Sequence, residues 1–390
     1  MISTLIIVLC LLILIAYAFD LSSKHTKIPT VIILLIMGYS INQAVVFFEV
    51  KMPNLDSLLP ILGTVGLILI VLEAGLDLEL NKKKKKLITS SFFSALIPLV
   101  VLLLIFGFAI NYFTGQDLMT SLLNAVPFCI ISSAIAIPSV QNLANAKKEF
   151  VVYESSMSDI FGVILFNFFI RNDAIDFGSF VTFFTQILII LVISLVSSLG
   201  LALLIKKIDH HVKFIPIIVM IILIYFIAKI YHLPALVFIL IFGLFLNNLD
   251  ELTRFNFVKK LQPEKLNLEV REFAKLIGEV SFLVRTIFFL LFGYTITADV
   301  LLNSETVPFA FGALAIIVLV RIIQLKVLKI ELSPLLFVAP RGLVTIMLFL
   351  SIPLSKSFDF INSSLVIQVI ILSAVIMMVG LLFSKNKAEK

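Results

Sequence analysis

The sequence predicts an all-α polytopic membrane protein of about thirteen helical spans, and three observations predict it. The chain has 390 residues, is 61% apolar and has a mean hydropathy of +1.17, whereas a soluble domain is about half apolar. A helix crossing a hydrocarbon core about 30 Å thick needs roughly 20 apolar residues, and blocks of that length recur along the whole chain. Basic residues collect in alternate connections between the blocks, the bias expected of inside loops. Alternation of the outer-membrane barrel kind is absent from the sequence.

Spans are placed near 2–19, 28–48, 57–78, 87–113, 117–140, 150–171, 178–205, 212–230, 234–249, 279–298, 306–325, 333–353 and 362–384. The first block lacks a basic leader and a small-residue cleavage site, and Asp20 and Lys24 follow it, so an uncleaved span is expected. With the N-terminus outside, the inside loops hold Lys24, Lys27, the run Lys82 to Lys86, Lys147, Lys148, Lys206, Lys207 and Lys213. They also hold Arg254, Lys259, Lys260, Lys265, Arg271, Lys275, Lys326, Lys329, Lys385, Lys387 and Lys390, for 23 of the 30 basic residues. Only Lys51, Arg171, Lys229 and Lys356 fall outside, and Arg285, Arg321 and Arg341 fall within spans. The net charge of +6 therefore orients loops rather than marking a nucleic-acid surface. Cys10 and Cys129 both lie in apolar blocks, which points to neither a disulfide framework nor a metal site.

The long connection 250–278 mixes charges with Leu252, Phe255, Phe257, Leu261, Leu266, Leu268, Phe273 and Leu276. That pattern predicts an amphipathic helix on the membrane surface, dividing the chain into halves. No soluble regulatory domain is expected after the last span. The whole reads as one transmembrane domain over 1–390: a first repeat at about 1–171, a linking span at about 178–205 and a second repeat at about 212–384.

Two spans carry breaks. Span 5 runs through Asn124, Ala125, Val126 and Pro127 into "IISSAIAIPS", with Ser132, Ser133 and Pro138. Span 12 reads "FVAPRGLVTI", with Pro340, Arg341 and Gly342 at its middle. Proline removes a backbone donor and glycine loosens a helix, and in lipid the freed groups survive only inside protein or beside a wet cavity. The breaks lie seven spans apart, so the matching elements cross in opposite directions, as in inverted repeats with discontinuous helices at a central site. Spans 3 and 10, "VLEAGLDL" and "LLFGYTIT", each stand two spans before a break.

An ionised side chain at mid-bilayer costs roughly 2.5–3.5 kcal/mol, so each needs a reason. Span 6 opens "FVVYESSMSDIFGVILFNFF". Ser155 and Asp159 share one helical face, and Glu154 and Ser158 share the adjoining one. Asp159 is the candidate for binding a cation or a proton, one at a time. Burial disfavours a charged carboxyl, a neighbouring sodium ion favours it, and these opposed pulls couple the two movements. The competing reading is a capping or salt-bridged aspartate without a ligand. Glu154 fits a buried ion pair, with Arg285 in "FLVRTIFFLLFG" or Arg341 in "APRGLV" as partner. Arg341 alternatively neutralises the carbonyl end of a half-helix. Glu73 in "LIVLEAGLDL" is either a third site acid or an end-of-span acid, while Asp77 and Glu79 face the cytoplasm. His210 and His211 read as a solvated loop pair, with pH sensing the alternative, and Arg321 reads as a snorkelling residue. Nucleophile–base pairs and metal-ligand clusters at helical spacing are absent from the sequence, which argues against an intramembrane enzyme.

These residues resemble the monovalent cation/proton antiporters, especially the NhaP-like sodium/proton exchangers, over essentially the whole chain. The carriers are "LEAGLDLEL" at 72–80, "SSAIAIPSV" at 132–140, "ESSMSD" at 154–159, "VRTIFFLLFG" at 284–293 and "APRGLV" at 339–344. The resemblance implies a thirteen-helix fold with a six-helix core domain, spans 5 and 12 crossing as unwound helices, and a homodimer working by an elevator-like movement. It places a transported sodium ion at Asp159, with Ser155 and Glu73 supplying further oxygens beside Ser132, Ser133 and Ser158. It pairs Glu154 with Arg285. It implies no cofactor, and its substrates are a monovalent cation and the proton. A multi-pass place in the cytoplasmic membrane is expected, with the N-terminus outside and the C-terminus inside. Two departures stand out. Where the family reads Thr-Asp-Pro in span 5, this chain has Ser132, Ser133 and Ala134, and its Ser158–Asp159 replaces an Asn-Asp or Asp-Asp pair. One acid at that place favours one proton per cation, an electroneutral exchange of sodium, or of potassium or lithium. A non-transporting sensor or scaffold on the same fold, and then a cation channel, are the alternative classes.

Overall fold

Backbone groups inside a bilayer must bond within the protein, so an apolar block of spanning length folds as a helix. The computed structural model describes residues 7, 10–19, 21, 30–49, 58–80, 84–141, 143–174, 176–207, 212–231, 233–253 and 263–384, apart from the side chains of 206 and 263–265. Of the residues named above, Asp20, Lys24, Lys27, Lys51, Lys82, Lys83, His210, His211, Arg254, Phe255, Phe257, Lys259, Lys260, Leu261, Lys385, Lys387 and Lys390 lie outside the described residues. So do most of the start of the first span and the middle of the long connection.

Helix is the regular structure of the described residues, with no strand among them. The helices are α1 (Cys10–Phe19), α2 (Thr30–Phe47), α3 (Leu58–Asp77), α4 (Lys85–Thr114), α5 (Leu118–Cys129), α6 (Ser133–Ser139), α7 (Asn145–Arg171) and α8 (Phe177–Lys207). Then come α9 (Phe214–Ile230), α10 (Ala235–Asn247), α11 (Pro263–Thr295), the single turn α12 (Ala298–Leu301), α13 (Val307–Val327), α14 (Leu343–Leu350) and α15 (Ser363–Phe383). Helix thus occupies part or all of every segment placed as a span. Among the described residues, eight helical stretches are long and apolar enough to cross a membrane by length and composition.

Two packing groups emerge. In one, α4 packs on α5, α7 and α13, α5 and α6 pack on α7, and α13 packs on α15. In the other, α11 lies along α2 and α3, α10 lies along α3 and α8, and α9 packs on α8 and α10. The seam between them is made chiefly by α3 against α7 and α14.

Both expected breaks are present, though not as drawn from the prolines. Pro127 and Pro138 lie inside α5 and α6, and the interruption is at 130–132 between them. The other interrupted span is more than a kinked helix. Its first half is a run of turns at 333–337, then irregular chain at 338–342, and only its second half, α14, is helical. Proline at 334 and 340 deprives this segment of two backbone donors, which is why no regular helix forms there.

The surface-helix expectation for 250–278 is corrected. From Pro263 onward this stretch is the first half of α11, one uninterrupted helix of 33 residues that continues into span 10. Leu266, Val270, Phe273 and Ile277 form its apolar stripe and are buried. The Phe273 ring lies 5.6 Å from that of Phe214 on α9 and 6.4 Å from that of Phe242 on α10. An amphipathic face fits a lipid surface or a protein surface equally, and here protein covers it.

Where α3 crosses α10, backbone touches backbone. A Cβ added at Gly243 would sit 2.9 Å from the Cα and carbonyl carbon of Gly75, neither of which can yield independently of its helix. Gly243→Leu is therefore expected to destabilise the protein by about 1–3 kcal/mol, the usual cost of overpacking. Gly200, which has open space on all sides, supplies the control. Thermal unfolding in detergent should show a lowered midpoint for Gly243→Leu and none for Gly200→Leu.

Candidate functional site

Breaking a helix frees backbone groups, and their partners define the centre of the molecule. At the first break the N–H of Ser132 donates to the carbonyl of Pro340 at 2.8 Å, which ties the two interrupted spans together. The N–H of Ile131 donates to Ser158 Oγ at 2.9 Å, and that of Ser133 donates to Asp159 Oδ2 at 3.3 Å. At the second break the N–H of Arg341 donates to Ser373 Oγ at 2.9 Å. Gly342 sits where the two interrupted spans touch: a Cβ there would lie 2.7 Å from Ser132 Oγ and 2.6 Å from Ile135 Cδ1.

Freed carbonyls are met by two arginines. Arg341, 1% exposed, donates through Nε to the carbonyl of Phe128 in the last turn of α5 at 2.8 Å, and through Nη1 to that of Ala339 at 2.8 Å. It sits at the carbonyl end of a half-helix, where a cation is favoured. Arg321, on α13, reaches the carbonyl of Leu335 through Nε at 3.3 Å and through Nη2 at 3.1 Å.

Arg321 also corrects the ion-pair expectation. The partner of Glu154 is Arg321, in a two-pronged pair whose Nη2–Oε2 distance is 2.7 Å, and not Arg285 or Arg341. Arg321 does not snorkel: it is 3% exposed and Glu154 1%. Ser94 on α4 donates to Glu154 Oε1, and Gln324 donates to the same oxygen at 3.1 Å while accepting from Arg321 at 3.2 Å. Every prong of the guanidinium is thus occupied, as a buried charge requires. Sequence reasoning missed Ser94, Gln324 and Ser373. A signal was present for one of them, since Arg321 and Gln324 stand three apart on one face of an apolar helix.

Asp159 is 3% exposed at the middle of α7. Its Oδ2 accepts from the hydroxyl and the N–H of Ser133, while its Oδ1 has no hydrogen-bond partner among the described residues. The buried hydroxyl of Ser132 likewise has none. Buried polar atoms left open in this way need an explanation, an ion being one. Ser133 and Ser158 are thus gathered at Asp159 and the break. Ser155 is buried, and its hydroxyl is turned back to the carbonyl of Val151 at 2.7 Å.

Glu73 and Arg285 belong to a different feature. With Asp77, Gln141, Ile137, Pro138 and Ser133 they line a cavity of about 320 Å³ between α3, α6 and α11. Its rim includes the exposed Asp77 and Gln141, and its wall includes Ser133, the residue bonded to Asp159. A partly polar cavity therefore runs from the exposed Asp77 and Gln141 to Ser133, whose hydroxyl bonds the buried acid. Toward the other end, contacts within the α4–α7 and α13–α15 group hold its connections together. Lys356 Nζ meets Asp173 Oδ1 at 2.7 Å and the carbonyl of Ile170 at 3.3 Å, and Asn124 donates to the Lys356 carbonyl at 2.8 Å.

Comparison with known proteins gives a consistent result. A family model described as sodium/hydrogen exchanger, transmembrane, matches residues 9–385. Two solved structures of the sodium proton antiporter MjNhaP1 from Methanocaldococcus jannaschii share the fold. One, at pH 8, is 18% identical with a TM-score of 0.68, covering 98% of this chain and 96% of its own. The other, an electron-microscopy structure, is 17% identical with a TM-score of 0.70, covering 97% and 95%. No curated protein sequence matches the chain.

Removing one partner of the Glu154–Arg321 pair leaves a buried charge alone, which costs about 3–5 kcal/mol, whereas replacing both by apolar or neutral groups is often tolerated. Arg321→Met should therefore lose most folded protein on size-exclusion chromatography, and Glu154→Gln with Arg321→Met should recover much of it. Arg285→Met, at a cavity wall, should fold like the wild type. Collapse of Arg285→Met with survival of Arg321→Met would restore the original pairing.

Proposed function

The chain belongs to the transmembrane sodium/hydrogen exchanger family, and from that premise we propose that it exchanges sodium, or potassium or lithium, for protons at Asp159. It is a multi-pass membrane transporter whose substrates are a cation and the proton. The observation carrying the finer reading is the deeply buried carboxylate with one oxygen open, set one hydroxyl away from a cavity that reaches the end of the bundle. A protonated Asp159 is neutral and suits its dry surroundings. A bare cation balances the ionised form there, and the two cannot occupy the group together. Ser132 and Ser133 supply oxygens beside it, and Ser155 and Ser158 supply further ones after rotation of their hydroxyls. Glu73, in the cavity wall, draws cations toward the site, and Arg285 tempers that attraction.

Alternating access follows from movement of the α4–α7 and α13–α15 group against the group of α2, α3 and α8–α11. As the cavity at Asp77 closes, the seam of α3 against α7 and α14 opens toward the other end. We place the protein in the cytoplasmic membrane as a homodimer, N-terminus outside and C-terminus inside, with the cavity facing inward and the two repeats related by inversion. One acid exchanging one proton for one cation makes the exchange electroneutral. Such a cycle ignores the membrane potential, which otherwise acts with about 2.3 kcal/mol per elementary charge per 100 mV.

In everted vesicles with a pH-sensitive dye and a series of monovalent cations, the wild type should move protons on cation addition and Asp159→Asn should not. Equal signals from both would sink the reading, and normal folding without flux of any cation would indicate a sensor instead. Ser133→Ala removes a hydrogen bond to a charged group, worth about 1.5–3 kcal/mol, so its half-saturating cation concentration should shift by about tenfold or more.

A further inference from the structure

Among the described residues, the charged side chains that are almost wholly buried are Glu154, Asp159, Arg321 and Arg341, two acids and two arginines. All four belong to the group containing α4–α7 and α13–α15. Glu154 is ion-paired with both prongs of Arg321. Arg341 touches carbonyls only, those of Phe128 and Ala339. Asp159 is then the one member whose charge is altered by a bound proton or cation. With Asp159 ionised and empty, the four charges cancel. With either ligand bound, the set carries one positive charge. Glu73, Asp77 and Arg285 stand on α3 and α11, in the opposite group, and lie along the cavity rather than within the buried set.

Strict exchange requires that the unloaded site be unable to cross, because an empty crossing returns the site without its second ion. A net charge is what the low-dielectric centre of a membrane opposes. In this chain the empty form is neutral and meets no such barrier, while the loaded form crosses with its one charge as exchange already requires. We propose that the empty core crosses, so that besides exchange the protein carries a monovalent cation alone, down its electrochemical gradient, with no proton returned. This rests on the reading of Asp159 above. The loaded crossing moves one positive charge and the empty return moves none, so the uncoupled flux is driven by voltage although the exchange is not.

The test uses the full chain in potassium-free proteoliposomes with strongly buffered, equal pH on both sides. Radioactive sodium is the probe, or rubidium where potassium is the better substrate, and a thiocyanate gradient sets an inside-negative potential. Uptake should rise with the potential, its limiting accumulation approaching tenfold per about 60 mV. In weakly buffered vesicles with an internal pH dye, cations entering should outnumber protons leaving. Ser133→Asp adds one negative charge to the core and should bring the ratio back toward one. Voltage-independent uptake matched one for one by protons overturns the proposal, as does Ser133→Asp slipping as freely as the wild type. If Asp159→Asn carries the wild-type flux, the exchange site itself is misplaced, and that failure is distinct from this one.

Discussion

Everything at the centre of this molecule hangs on backbone groups that a helix would have satisfied and two interrupted spans do not. Ser132 N–H answers Pro340 C=O, Ser158 answers Ile131, Asp159 answers Ser133, and Ser373 answers Arg341. The carbonyls turn to Arg341 and Arg321. Unmet groups in hydrocarbon cost several kcal/mol each, so this list fixes the crossing geometry with little latitude. It also explains why serines stand there. A hydroxyl can both donate and accept, so Ser133 bonds the acid with its side chain and its backbone from the same residue.

Much of this was legible in the sequence and some was not. Apolar blocks and the lysine bias exposed the spans because membrane thickness and loop charge act on composition directly. Asp159 stood out because an acid amid "SDIFGVILF" contradicts its surroundings. The partner of Glu154 was hidden, since three arginines lay inside spans and the choice depends on helix rotation across 167 residues of sequence separation. Position near a helix end made Arg321 look like a residue reaching for water, but the turns at 333–337 put carbonyls there instead. Pro263, within the long connection, is the first residue of α11, where a missing N–H is harmless.

The site is lopsided, and its two sides are built from different materials. On the cavity side the walls are acids, an arginine and a glutamine, with the charges kept within reach of water. On the other side, one lysine holds an aspartate and a carbonyl, and an asparagine holds the lysine's own backbone, all within the α4–α7 and α13–α15 group. These contacts are single hydrogen bonds and an exposed ion pair, each worth about 1 kcal/mol or less. The network at Glu154, by contrast, is dry and saturated. The group is thus held most strongly in its interior and lightly at its end.

The unbroken course of α11 has a mechanical consequence. At 1.5 Å per residue its 33 residues make a rod about 50 Å long, well beyond the hydrocarbon core of about 30 Å. Arg285 lies on that rod about 33 Å from Pro263. A tilt of about 5° pivoting near Pro263 would sweep the arginine by about 3 Å, comparable to the width of a water molecule. A small tilt about that end is therefore felt, through plain leverage, at the wall of the ion's vestibule.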